Sequence, residues 1–248
     1  MRSLWQDTRL GIRGLRKNPG FTIIAVLTLA LGIGANTAIF TVLNAVLLRA
    51  LPAEDPQRLV MLSNPEYHGI GVGEGAGKRG MYAYSEFRDL LEKNQVFSGL
   101  LAVDSYVRRT DVIVEGARSN EPEHANVTTV SGDYFKVLGI RPFLGRTFRA
   151  EVDKVQHADP VAVISYGYWN SRFAGAASII GQKIRLRRTT FDIVGVAQEG
   201  FSGETIGFSP DIWVPLTMQA EVFPAWTISW TNPRIRCRKF YGSKSLDA

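Results

Sequence analysis

The chain has 248 residues, 45% of them hydrophobic, with a mean hydropathy of −0.02 and a formal net charge of +6. Its single cysteine, Cys237, excludes an intramolecular disulfide, so any folded region must rest on its core alone. The positive charge comes partly from the N-terminal flank and the basic segment after Trp226. Basic residues are not interleaved with aromatics as in a base-stacking platform, so no nucleic-acid partner is expected.

At the N-terminus, Leu4, Trp5, Thr8, Ile12 and Leu15 fall on one helical face, and Arg2, Arg9, Arg13 and Arg16 on the opposite one. This spacing predicts an amphipathic basic helix over 1–17. It would lie flat at a membrane surface, with Trp5 at the interface and Arg9, Arg13 and Arg16 toward anionic headgroups. Asn18-Pro19-Gly20 is expected to break that helix and turn the chain into the bilayer.

Phe21 to Leu48 is an apolar run without a charged side chain. A bilayer core about 30 Å thick needs roughly 20 apolar helical residues, so 21–48 is predicted to be a transmembrane helix. Lys and Arg are concentrated before the run, which predicts a cytoplasmic N-terminus and an extracytoplasmic remainder. The competing reading is a cleavable signal peptide. Against it, such apolar cores are about 7–15 residues long, and Arg49-Ala50-Leu51-Pro52-Ala53 is a poor cleavage site. Within the run, Ala30, Gly34 and Ala38 recur every four residues, a spacing that lets another helix approach closely. Asn36 and Asn44 carry amides that are costly in lipid and are expected to face protein.

The region 50–225 shows mixed patterns that predict an α+β domain. Met81 to Lys93 has helical spacing. Asp111 to Glu115 is expected as a strand before a turn at Gly116, and Ser131 to Leu138 as a helix ended by Gly139. Pro160 precedes a strand over Val161 to Ile164, and Ser165 can cap a helix over Tyr166 to Phe173. Ile184 to Arg187 and Phe191 to Val196 are expected as strands around a turn at Arg188-Thr189-Thr190. Gly69 to Gly80 is expected as a loop. The segment 226–248 is basic and without clear periodicity.

Catalytic patterns are not met. A phosphate-binding loop would need Gly at Val72 and Ser or Thr at Arg79, and the last position of a G-x-G-x-x-G match is Ala76. His68, His124 and His157 lack metal-ligand spacing. Glu204 stands where a nucleophile elbow needs Gly. Asn126-Val127-Thr128 is a formal glycosylation sequon. No catalytic residue, metal ligand or cofactor is expected.

One resemblance orders these features. Asn18 to Phe21, followed by Leu27 to Phe40 (LTLALGIGANTAIF), resembles the first span of MacB/FtsX-type ABC transporter permeases, in particular the large duplicated permeases of acidobacteria. Phe97 to Leu100, Val130 to Ile140, Pro142 to Arg146, Val161 to Trp169, Ile180 to Gln182, Phe191 to Val196 and Asp211 to Leu216 resemble successive blocks of a MacB-like periplasmic core domain. The resemblance implies a permease subunit, or an N-terminal fragment of one, of an export or mechanotransmission system in the cell inner membrane. It implies an ABC ATPase partner on the cytoplasmic side and a second permease protomer, with a periplasmic adaptor as a further candidate. The family's later spans are absent, and 226–248 departs from its pattern, so a truncated or frame-shifted permease is expected. The alternative is a stand-alone, membrane-anchored extracytoplasmic interaction module without an ATPase.

Overall fold

The computed structural model describes residues 13, 15–47, 53, 55–62, 84–104, 107–115, 121–155, 159–205, 207–223 and 237–244. The loop 69–80, the turn at Gly116, His68 and His157 lie outside these residues, as do 1–12 and most of 226–248. The chain divides into two compact units, 1–49 and 50–248.

In the first unit, helix α1 runs from Pro19 to Leu47. Only Asn18 is non-helical in the expected break; Pro19 and Gly20 form the first turn of the span instead of interrupting it. Proline is tolerated at that position because its missing N–H would be unpaired anyway. Thr22 Oγ1 bridges the break, donating to Leu15 O at 2.7 Å and to Asn18 O at 3.0 Å. The stretch Pro19–Thr41 is long and apolar enough to cross a membrane, and its central window has no buried residue within the chain.

Among the described residues, the second unit is built on ten strands. In chain order they are β1 (Leu59–Leu62), β2 (Phe97–Asp104), β3 (Arg108–Val114), β4 (Glu123–Val130), β5 (Pro142–Gly145), β6 (Val161–Ile164), β7 (Lys183–Leu186), β8 (Thr189–Ala197), β9 (Ile212–Pro215) and β10 (Cys237–Lys244). Four helices accompany them: α2 (Tyr84–Lys93), α3 (Tyr134–Val137), α4 (Tyr166–Phe173) and α5 (Gln219–Val222). The fold is α+β.

Six strands close on themselves. β4 pairs with β3, β3 with β7, and β7 with β8, all antiparallel. β8 then pairs in parallel with β6, β6 antiparallel with β9, and β9 in parallel with β4 again. Alternate side chains point inward. Val112, Val127, Ala162, Ile164, Ile184, Leu186, Phe191, Ile193, Ile212 and Val214 fill this small barrel and are fully buried. β6 and β9 are buried on their outer face too. There Val163 and Trp213 meet Tyr134, Phe135, Leu138, Phe148 and Phe201. Phe135 stands edge-on to Trp213 at 5.7 Å, and Phe201 stacks on it at 5.5 Å.

β2, β10 and β1 extend the sheet as an antiparallel ribbon, with β10 between the other two. Tyr84 and Phe87 of α2 pack there with Leu100, Ala102 and Leu216. β10 lies in the segment whose sequence shows no periodicity.

Three predicted elements shift for identifiable reasons. The helix expected over Ser131 to Leu138 shrinks to the single turn of α3 because Ser131 is held by β2. Its N–H donates to Ala102 O, and its Oγ accepts from Ala102 N, both at 2.9 Å. The β7–β8 turn is Arg187-Arg188, not Arg188 to Thr190. Placing Ile184 opposite Phe191 in the interior forces Leu186 opposite Thr189 and leaves two residues for the loop. β3 begins at Arg108 rather than Asp111, since Arg108 to Val112 pair along β4. The expected strand Val161–Ile164 and helix Tyr166–Phe173 form as predicted, and Tyr168 N donates to Ser165 Oγ at 3.1 Å.

Gly195 permits the close approach of the chain after β5 to β8. A Cβ there would stand 2.0 Å from Arg146 O, a backbone atom that cannot turn away. Gly195→Ala is expected to destabilise the chain by about 1–3 kcal/mol through overpacking. Gly167→Ala, in α4 with nothing within 4 Å of the new methyl, should be neutral or stabilising by up to about 1 kcal/mol. Chemical denaturation of the detergent-solubilised chain checks both, and equal effects would contradict the packing described.

Candidate functional site

The span offers two faces. At about 100° per residue, Ala30, Gly34 and Ala38 occupy an arc of about 80°, and Asn36 lies about 200° from Gly34. A Cβ on Gly34 would meet nothing within 4 Å, so that face is open. The threonines are satisfied internally: Thr28 Oγ1 donates to Ile24 O at 3.0 Å, Thr37 to Ile33 O at 2.8 Å and Thr41 to Thr37 O at 2.7 Å. The Asn36 amide has no partner among the described residues. Of the expected surface-helix residues, Arg13 and Arg16 are helical and exposed, whereas Trp5 and Arg9 lie outside the described residues.

Beside the barrel, a buried polar knot joins four elements. Arg108 Nη1 donates to Asp104 Oδ2 at 2.5 Å, and Gln219 Nε2 donates to the same oxygen at 3.0 Å. Thr129 Oγ1 lies 3.4 Å from it. The knot ties the end of β2, the start of β3, the end of β4 and helix α5. The Arg108 guanidinium also sits 4.4 Å over the Phe223 ring. Val222 and Phe223 in turn pack into the barrel core.

Above this knot opens a cleft of about 590 Å³ lined by Arg108, Arg109, Arg185, Arg187 and Arg188, with Thr110, Asp111, Ile113, Pro122, Val222 and Phe223. The β3–β7 pairing, with Ile113 opposite Arg185, brings the two arginine groups together. Sequence reading placed Arg185 and Arg187 in a strand and Arg188 at a turn, and gave none of the arginines a binding role. The available signal was two arginine doublets at strand ends, Arg108-Arg109 and Arg187-Arg188. A second cleft, of about 650 Å³, is lined by Ala53, Gly139 to Phe143, Gln198, Glu199 and Phe201.

Titratable groups elsewhere are locked in structural roles. Tyr168 Oη donates to Glu123 Oε1 at 2.5 Å, and Arg172 Nε pairs with the other oxygen of Glu123. Burial, followed by Glu123 itself, pushes the Tyr168 phenol up. Tyr134 Oη donates to Glu204 Oε2 at 2.8 Å, and burial pushes that phenol up as well. Asp153 is different. Its Oδ2 accepts from Gly132 N at 2.6 Å, while its buried Oδ1 has no hydrogen-bond partner among the described residues. Burial, opposed by the Gly132 bond and reinforced by Asp133, raises its pKa to about 7.

Comparison with known proteins bears on the whole chain. Residues 22–237 match the family described as MacB-like periplasmic core domain. The periplasmic region of MacB from Actinobacillus actinomycetemcomitans superimposes with a TM-score of 0.56 at 16% identity, covering 82% of this chain and 81% of that one. The extracellular domain of the noncanonic ABC-type transporter YknZ from Gram-positive bacteria gives a TM-score of 0.50 at 14% identity, covering 76% and 85%. A permease-protein domain from Porphyromonas gingivalis gives 0.50 at 12% identity, covering 77% and 76%. These likenesses show the fold. No curated protein matches the chain.

Asp153 generates a pH prediction. The folded state holds its proton more tightly than the unfolded state, where the carboxyl titrates near 3.8. Its contribution is therefore complete below about pH 4, falls as pH rises to about 7, and is flat above. The loss amounts to about 4 kcal/mol. Unfolding free energy measured from pH 4.5 to 7.5 should fall more steeply for the native chain than for Asp153→Asn. Parallel curves would contradict the assignment.

Proposed function

The chain belongs to the MacB-like periplasmic core domain family, and from that premise we propose that it acts as a permease subunit of an ABC-type export or mechanotransmission system. The observation that carries this reading is the succession of one apolar helix, α1, and a core domain of that family within a single chain. The relatives matched by fold are transporter parts: a MacB periplasmic region and the extracellular domain of an ABC-type transporter.

In this reading a cytoplasmic ATPase drives the span, and the span moves the extracytoplasmic domain as a block. Work passes through the domain only if the domain does not deform. A closed strand circuit with β6 and β9 buried on both faces favours rigid-body motion, because packed cores resist continuous deformation. No bond-making chemistry is required of this chain. The Ala30, Gly34 and Ala38 face suits close approach of a second permease protomer's helix. The Asn36 amide on the opposite face needs a polar partner from another helix, which makes the span the middle of a bundle. The Lys/Arg excess before the span orients the N-terminus to the cytoplasm. That puts the 1–17 segment, with Trp5, Arg9, Arg13 and Arg16, beside the ATPase at the inner membrane. A periplasmic adaptor would dock on the extracytoplasmic domain.

The test is co-purification from detergent-solubilised membranes. An ABC ATPase should be recovered with the tagged chain, and Arg13→Glu/Arg16→Glu should reduce recovery at least tenfold without reducing membrane insertion. Loss of the ATPase from the native chain, under conditions where an intact relative retains it, would contradict the proposal and leave the independent anchored module as the reading.

A further inference from the structure

The cleft between β3 and the β7–β8 turn holds four arginines, Arg109, Arg185, Arg187 and Arg188, with no hydrogen-bond or ion-pair partner for their guanidiniums among the described residues. Several acidic side chains stand nearby, and most of them are engaged by other groups. Asp104 takes Arg108 and Gln219. Asp111, the one carboxylate lining the cleft, lies 2.8 Å from His124 Nδ1. Glu115 accepts from Thr190 Oγ1 at 2.9 Å, Asp192 pairs with Lys183 at 3.5 Å, and Glu123 is held by Tyr168 and Arg172. The barrel strands thus pair most of their other charges and leave these four cations lining one space, with Asp111, whose His124 partner is charged only when protonated, offsetting at most one of them. Like charges gathered in one cleft repel, so the arrangement opposes folding unless something else uses it.

The backbone tells the same story. Arg187 has φ +56°, in the left-handed region. An L side chain there costs about 1–2 kcal/mol, and a two-residue hairpin turn ordinarily uses Asn or Gly at such a position. The turn carries arginine instead, and its side chain lines the cleft. The fifth arginine, Arg108, is anchored by Asp104 and the Phe223 ring, so that wall is rigid. Guanidinium forks match the planar oxygen pairs of phosphate and carboxylate. The cleft's volume lies within the range of small-ligand pockets, about 300–1,000 Å³. Ile113, Val222 and Phe223 supply apolar lining beneath the cations.

We propose that this cleft is a binding site for a phosphate-bearing anion, held by Arg109, Arg185, Arg187 and Arg188 around the fixed Arg108–Phe223 wall. The phosphate can come from a free small molecule or from a lipid headgroup. The site is separate from ATPase coupling and stands or falls independently of it.

The experiment uses the full chain in nanodiscs of zwitterionic lipid. Calorimetric titration is run with two probes, inorganic pyrophosphate and dihexanoyl phosphatidylglycerol below its micelle concentration. Saturable one-to-one binding of either probe is expected, weakening as salt rises. Arg185→Gln/Arg188→Gln should weaken it at least 30-fold, and Arg185→Lys/Arg188→Lys by less. Lys136→Gln, on α3 and outside the cleft, should leave it unchanged, and all variants should keep the native melting temperature within a few degrees. Binding of pyrophosphate identifies a free anion as the source, and binding of the short-chain lipid alone identifies a headgroup. No binding of either probe, or binding that the Arg185/Arg188 substitutions leave unchanged, overturns the site. If the glutamine variant unfolds, Arg109→Gln alone, with an expected loss of at least fivefold, carries the same decision.

Discussion

The closure of the strand circuit is the constraint on which the rest depends. β4 accepts β3 on one side and β9 on the other, and its last residue, Val130, also faces Val103 of β2. A closed circuit leaves no barrel edge open to pairing with another chain. It also explains how a domain without a disulfide holds together. Inward residues of six strands make one core, and the aromatic layer of Tyr134, Phe135, Phe148, Phe201 and Trp213 makes a second against β6 and β9. The two cores share these strands, so neither can loosen without disturbing the other.

The polar knot at Asp104 links that architecture to the surface. It fastens helix α5 to β2, β3 and β4, and its Arg108 forms a wall of the arginine cleft. The cleft therefore belongs to the rigid part of the domain. A ligand bound there would ride on the same block that the proposed coupling moves. Asp153 sits apart, its carboxylate accepting from Gly132 N, and its raised pKa ties the stability of the fold to pH.

Local rules were enough wherever one signal dominated. The apolar run over the span, the Pro160 start of β6 and the Ser165 cap of α4 each follow from a few adjacent residues. β9 and β10 were not visible in this way. β9 is four residues long and buried on both faces, so it shows no alternation. β10 is basic and polar in sequence, and its place depends on pairing with β1 and β2, far away in the chain. The arginine cleft was illegible for the same reason. Arg109 and Arg185 meet only through the β3–β7 register, and no spacing rule reaches across such a separation. The two faces of the span, by contrast, follow from helical geometry once Asn36 is placed against Gly34.

Native-state hydrogen exchange of the full chain in nanodiscs tests the closed circuit most directly. The account predicts that amides of β3, β4, β6, β7, β8 and β9 exchange through one shared opening of the highest free energy, with the β1–β10 ribbon opening below it. If β9 or β6 exchanged through a separate opening well below that of β4, the circuit would not be closed in solution. The domain could then not act as the rigid block on which the proposed function rests.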